Sequence, residues 1–336
     1  MHCSNRASNL LVIATSEQVN DARELLRRFL RPTRLVQAGR LGRDSDTRIY
    51  LKLEIDLPTG SFKPRGAIYA LMKNIERRSR NGERPIRGVV AASTGNHGSA
   101  VAYAARLANL PATIFLPLSP NPIKRSRIIE LGATVEEVEW KPESLGNAAA
   151  AFAEGHDYYF LNDAIDELVP VGTATIAAEI LDDLPEPDVI IVPMGDTALI
   201  RGVAGEAKRA FPRVKIVGVQ AAQAPAYVRS WQQNRVVTTE SCDTIADGLA
   251  TYVPLAPNVR AIRELVNEVS LVSEDEMIHG IRTLLFDEHV VAEPAGAAAL
   301  AAYLQNQTAY AGRSVVLLVT GSNIPDELLQ HAASSR

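Results

Sequence analysis

From residue 87 onward, short apolar runs alternate with stretches whose apolar residues recur at helical spacing. Runs at 88–92, 112–116, 134–138 and 158–161 read as strands, and later ones lie at 189–193, 215–219 and 314–319. Those at 189–192 and 315–319 are apolar at every position, as strands of a parallel sheet covered on both faces require. Between them the pattern predicts helices at 98–109, 122–131 and 145–154, with Gly132 and Gly155 as left-handed caps, and further helices at 171–184 and 198–211. A first helix is expected at 16–30, stopped by Pro32. Over 274–288, Met277, Ile278, Ile281, Leu284 and Leu285 form one core-facing stripe. Strand, loop, helix, strand in succession predicts an α/β fold with an open, mostly parallel sheet architecture.

Composition narrows the function without naming it. The chain has 336 residues, 46% of them hydrophobic and 22% charged, which suits an ordered protein of more than one domain. Its net charge of -4 carries no one-signed block, so neither nucleic acid nor an anionic membrane is an expected partner. Apolar stretches are cut well short of the ~18 residues a membrane span needs. The run at 10–14 is too short for a signal-peptide core, which makes a cytoplasmic protein the expectation. Cys3 and Cys242 cannot build a disulfide framework, and the histidines complete no metal-binding spacing.

Chemistry is therefore sought in the loops that follow strands, where open α/β sheets bind ligands. In Pro58-Thr59-Gly60-Ser61-Phe62-Lys63-Pro64-Arg65-Gly66-Ala67 the chain turns at Gly60 and enters a helix through Pro64, which places Lys63 at the positive helix end. That end disfavours an ammonium and so favours the neutral amine that forms Schiff bases; the plain alternative is a solvated surface lysine. Ser93-Thr94-Gly95-Asn96-His97-Gly98 opens an Ala-rich helix and suits a carboxylate, or else Ser93 or Asn96 is an ordinary N-cap. Gly195-Asp196-Thr197-Ala198-Leu199 joins a strand to a helix in the manner of a phosphate grip, although its aspartate and single glycine also fit a simple turn. Thr320-Gly321-Ser322-Asn323 follows the last strand.

Taken in order with Thr244-Ile245-Ala246-Asp247-Gly248-Leu249 and Ala292-Glu293-Pro294-Ala295-Gly296-Ala297, these segments resemble the fold-type II family of pyridoxal-phosphate enzymes, and within it the serine/threonine dehydratase (ammonia-lyase) branch. The similarity runs from about Pro32 to Asn323. It implies two open, mostly parallel twisted sheets with helices on both faces, a large cofactor-binding domain from 1–87 and 166–336, a small domain at 88–165 that binds the substrate carboxylate, and a homodimer. It also implies that Lys63 carries pyridoxal 5'-phosphate, with Phe62 against the ring, Asn96 on the 3'-oxygen, and Gly195, Asp196, Thr197, Ala198 and Leu199 around the phosphate. Thr320 then faces the pyridine nitrogen as a neutral group, which weakens the electron sink and suits β-elimination better than transamination. Ser93, Thr94, Gly95, Asn96 and His97 receive the substrate carboxylate, and Gly248 approaches its β-carbon.

The reaction this implies is elimination from a β-hydroxy amino acid, such as L-threonine or L-serine, to a 2-oxo acid and ammonia. β-Replacement, or racemisation with Thr94 acting on the face opposite Lys63, is the alternative. Two departures from the family stand out. Asp196 occupies a loop that is glycine-rich in relatives, which requires its side chain to turn outward while Thr197 adds a donor. The stretch 220–226 has none of the acidic side chains that hold a divalent cation in this branch, so no metal is expected.

Overall fold

The computed structural model describes residues 13–43, 46–139 and 144–334. Cys3 and most of the apolar run at 10–14 lie outside the described residues. The chain opens with α1 (Ser16–Arg27), β1 (Leu35–Gln37), β2 (Arg48–Leu53) and α2 (Pro64–Arg80). It continues through β3 (Val89–Ala92), α3 (Asn96–Leu107), β4 (Ala112–Pro117), α4 (Pro122–Glu130), β5 (Thr134–Val138), α5 (Ser144–His156) and β6 (Tyr159–Phe160). Then follow α6 (Leu168–Asp183), β7 (Val189–Pro193), α7 (Ala198–Ala210), β8 (Lys215–Ala221), α8 (Ala226–Gln233), α9 (Ala256–Leu265) and β9 (Glu268–Val272). The last elements are α10 (Glu274–Asp287), α11 (Pro294–Gln305), β10 (Ser314–Val319) and α12 (Asp326–Ser334).

Two sheets result, as the family resemblance implied. One has the order β1-β2-β10-β7-β8-β9 and is parallel except for the β1–β2 pair; the other, β5-β4-β3-β6, is parallel throughout. Every residue of β7 and β10 is buried, which accounts for their uninterrupted apolar sequence. Met277, Ile278, Ile281 and Leu284 of α10 are buried and Leu285 is half-buried, as the stripe required.

Local chemistry explains where the element ends differ. Gly132 takes the expected positive φ of 87°, but α5 runs past Gly155, and the left-handed residue there is Asp157 at φ 55°. A short polar side chain makes that conformation tolerable. Helices α2, α6 and α7 cross at glycines: a Cβ on Gly172 would lie 2.3 Å from the Arg65 carbonyl oxygen, and one on Gly202 would lie 2.3 Å from that of Pro170. That close approach fixes the N-terminal turn of α2, and with it Lys63.

Candidate functional site

Lys63 is the N-cap of α2, with Pro64 at the first helical position as expected. Its amine lies 5.2 Å from the centre of the Phe62 ring and forms an ion pair with Asp163, a residue that follows β6. Sequence reasoning missed Asp163, which lies a hundred positions away. Burial opposes the charge on Asp163, but His97 and Lys63 outweigh it and hold this carboxyl well below the usual range. His97 is buried with Nε2 2.9 Å from the Leu161 carbonyl oxygen, so that nitrogen carries the hydrogen. Burial lowers the pKa of His97, against the attraction of Asp163.

Lys63 stands between two concavities. A cavity of about 250 Å³ is lined by Lys63, Ser93, Thr94, Asn96, His97, Lys124, Asp163, Asp196, Asp247, Gly248 and Thr251, among others. A narrower crevice adjoins it, with Phe62, Gly195, Thr197, Ala198, Leu199, Glu293 and Thr320 in its walls and Lys63, Asn96, Asp163, Asp196 and Gly248 shared. All the residues singled out in the sequence meet here except Gly95, which lines neither concavity and serves the turn between Thr94 and Asn96.

The loop after β3 is a partly occupied cradle. Ser93 Oγ accepts from the Gly95 and Gly98 amides at 2.8 and 2.9 Å, so Ser93 does act as a cap, although the N-cap position itself falls on Gly95 at φ 148°. The backbone N–H groups of Thr94, Asn96 and His97 have no acceptor among the described residues. The Thr94 hydroxyl donates to the Asp247 carbonyl oxygen at 3.3 Å. Asn96 donates to Glu293 Oε1 at 2.5 Å and accepts from Asn323 at 2.8 Å.

Across the cavity, Lys124 Nζ lies 2.6 and 2.7 Å from the two Asp247 carboxylate oxygens and 3.0 Å from Glu293 Oε2. Burial alone lowers the pKa of Lys124, but attraction from Glu293 and Asp247 prevails and raises it. Burial pushes Glu293 up. The stem of Lys124 lies over Gly95, where a Cβ would come within 2.3 Å of it. Asp247 and Glu293 lie in the motif segments that carry the family resemblance, whereas no local sequence signal marks Lys124.

The loop after β7 has the features of an anion site. Thr197 takes φ 70°, a strained conformation for a β-branched residue, and its buried hydroxyl has no hydrogen-bond partner. The backbone N–H groups of Gly195, Asp196, Thr197, Ala198 and Leu199 likewise have no acceptor among the described residues. Gly195 is required because a Cβ there would lie 2.4 Å from the Gly248 carbonyl oxygen. The half-buried Asp196 carboxylate leaves the loop and accepts from Thr251 Oγ1 at 3.1 Å, in the wall of the cavity. Thr320 Oγ1 donates to the Ala295 carbonyl oxygen at 3.2 Å.

Residues 26–321 match the family described as pyridoxal-phosphate dependent enzyme. The chain belongs to that family. It is similar to the L-threonine ammonia-lyase of Thermotoga maritima, 35% identical over 310 residues that cover 92% of this chain and 76% of the relative. The L-threonine ammonia-lyase of Geobacter sulfurreducens is 34% identical over 306 residues, covering 91% and 75%. Among solved structures, the processed form of threonine deaminase isoform 2 from Solanum lycopersicum aligns with a TM-score of 0.83 at 26% identity, covering 96% of this chain and 95% of that one. Maize serine racemase aligns with a TM-score of 0.87 at 26% identity, covering 95% and 97%. The fold-type II architecture read from the sequence is thus the observed one, and the cofactor is pyridoxal 5'-phosphate. The site fits it: a phosphate answers the unpaired amides of 195–199 and the orphaned Thr197 hydroxyl, with a lysine amine at the same crevice.

Proposed function

We propose that the protein eliminates the β-hydroxyl of an amino acid such as L-threonine or L-serine, giving a 2-oxo acid and ammonia. The observation that carries this reading is the position of the Lys63 amine, at the junction of an anion-binding crevice and a cavity edged by free backbone N–H groups. The names of the relatives, L-threonine ammonia-lyase, support the same reaction.

When bound, pyridoxal phosphate supplies the electron sink for the pair left on Cα as its proton departs. The residues divide the remaining work. Lys63 anchors the cofactor and, once displaced by substrate, takes the Cα proton. The amides of Gly195 to Leu199 and the Thr197 hydroxyl hold phosphate, Phe62 covers the ring, and Thr320 meets the pyridine nitrogen as a neutral group. Asn96, already fixed by Glu293 and Asn323, orients the cofactor's 3'-oxygen. Ser93, Thr94, Gly95, Asn96 and His97 fix the substrate carboxylate, and Gly248 borders its β-carbon. Racemisation needs Thr94 as a second acid–base group, but its hydroxyl is committed to the Asp247 carbonyl, which favours elimination.

In the same reading, 88–165 works as the small domain against 1–87 and 166–336, and the protein acts as a cytoplasmic homodimer, a state that sedimentation checks. A panel of β-hydroxy amino acids assayed for 2-oxo acid tests the reaction. Ammonia and 2-oxo acid from serine or threonine, abolished in Lys63→Ala, are expected. Retained turnover in Lys63→Ala, or a D-amino acid as the main product, contradicts it.

A further inference from the structure

The backbone and the side chain of Asp196 serve different places. Its amide belongs to the loop that faces the crevice, whereas its carboxylate is bound by Thr251, which lines the cavity and not the crevice. Asp163 lines the same cavity and touches Lys63. Three carboxylates line this cavity; Asp247 is taken up by Lys124, which leaves Asp163 and Asp196 sharing the space with the reacting amine, and these two are held in opposite states. Asp163 is kept ionised, as described above. Burial and then the charge of Asp163 push Asp196 up to about 6, against the smaller opposing effects of Lys63, the Thr251 hydroxyl and Arg201. The charge of Asp196 also acts on Tyr227 and Cys242, whose pKa values burial raises first. Arg201, the nearby guanidinium, directs Nη2 to the Ala164 carbonyl oxygen. A phosphate held by the loop adds negative charge and acts in the same direction as Asp163. Neighbouring carboxyls whose environments drive them apart mark an acid and its ionised companion.

We propose that Asp196 is the general acid of the elimination, donating the proton that turns the departing β-hydroxyl into water, while Asp163 stays ionised beside Lys63. The proposal rests on the elimination reading above. The Cα proton passes to Lys63 Nζ, the pair it leaves forms the Cα=Cβ bond as the Cβ–O bond breaks with its electrons on oxygen, and the Asp196 carboxyl proton joins that oxygen. Water leaves and Asp196 remains as a carboxylate. The proton that Lys63 sheds when it takes up the cofactor again restores Asp196, so protons balance over the cycle and nothing is oxidised or reduced. Hydroxide is the conjugate base of an acid of pKa about 15.7 and needs this help. Chloride does not.

The test compares L-serine with β-chloro-L-alanine in wild type, Asp196→Asn and Asp196→Gly, each saturated with pyridoxal phosphate and with cofactor occupancy measured by absorbance. General acid catalysis contributes roughly 10²–10⁴-fold. Turnover of serine is expected to fall by that order in both variants, and that of chloroalanine by less than tenfold. Infrared spectra of the loaded wild type are expected to show a protonated-carboxyl band that titrates at or above pH 6 and is missing from Asp196→Asn. A parallel loss on both substrates, or no such band, overturns the proposal alone. A wild type that eliminates from neither compound overturns the elimination reading, and the proposal with it.

Discussion

Replacing Arg65 by methionine removes the cation from the most buried ionic cluster while keeping most of the side-chain length. Arg65 is 2% exposed and donates to Glu54 at 2.7 and 3.0 Å, to Glu179 at 2.7 Å from each of two nitrogens, to Thr175 at 3.0 Å and to Thr33 at 3.1 Å. Without it, Glu179 keeps Lys52, whose amine lies 2.6 Å away, and the Thr33 amide at 3.2 Å, whereas Glu54 keeps the Thr33 hydroxyl at 2.6 Å and no cation. One buried carboxylate is then uncompensated, a change that costs ~3–5 kcal/mol. At about 2–4 °C per kcal/mol, melting should fall by roughly 6–20 °C.

The effect of pH has a definite sign. Burial opposes the charge on Glu179, but Arg65 and then Lys52 pull its pKa from 4.5 down to about 2. Such a group contributes stability above its unfolded pKa and loses that contribution as pH falls toward the folded value. Urea unfolding of wild type and Arg65→Met should therefore show the full gap at pH 7 and a gap that closes as pH drops from 4.5 toward 2. Arg65→Lys should recover only part of the loss, since an ammonium cannot serve both carboxylates as the planar fork does. A gap below about 1 kcal/mol at pH 7, well under the cost of an unpaired buried charge, would refute this reasoning. So would one that does not change with pH.

Two further outcomes concern the phosphate loop. Thr197→Val removes a buried hydroxyl that has no partner in the protein alone, so cofactor-free stability should hold or rise slightly, whereas affinity for pyridoxal phosphate should fall roughly 10–100-fold. Thermal melts without cofactor, together with cofactor titration by absorbance, check both signs at once, and an unchanged affinity would remove Thr197 from the phosphate site. Gly195→Ala should push its methyl into the Gly248 carbonyl, costing about 1–3 kcal/mol of stability and loosening the cofactor. Equilibrium unfolding and the same titration measure it, and wild-type values in both would show that the loop yields freely.

Much of this was legible in the sequence because the fold writes its pattern locally. The buried parallel strands β7 and β10 and the glycine and proline punctuation around Lys63 each announce themselves within a short stretch of chain. β1 and β2 were not read, in part because Lys52 interrupts the apolar pattern of β2 while being fully buried; its charge is met by Glu179, far along the chain. The same reason hid half of the site. Lys63 meets Asp163, Lys124 meets Asp247 and Asn96 meets Glu293 across a hundred positions or more, and no periodicity encodes such pairs. Where the sequence broke its family's habit, at Asp196, the side chain is held by Thr251, a partner 55 positions away that no local pattern announces.

The central claim is that Lys63 carries the cofactor. Reducing the protein loaded with pyridoxal phosphate with borohydride, followed by peptide mass mapping, tests it most directly. The phosphopyridoxyl group is expected on Lys63, with none in Lys63→Ala. Recovery of Lys63 unmodified, or the group on another lysine such as Lys124, would contradict it.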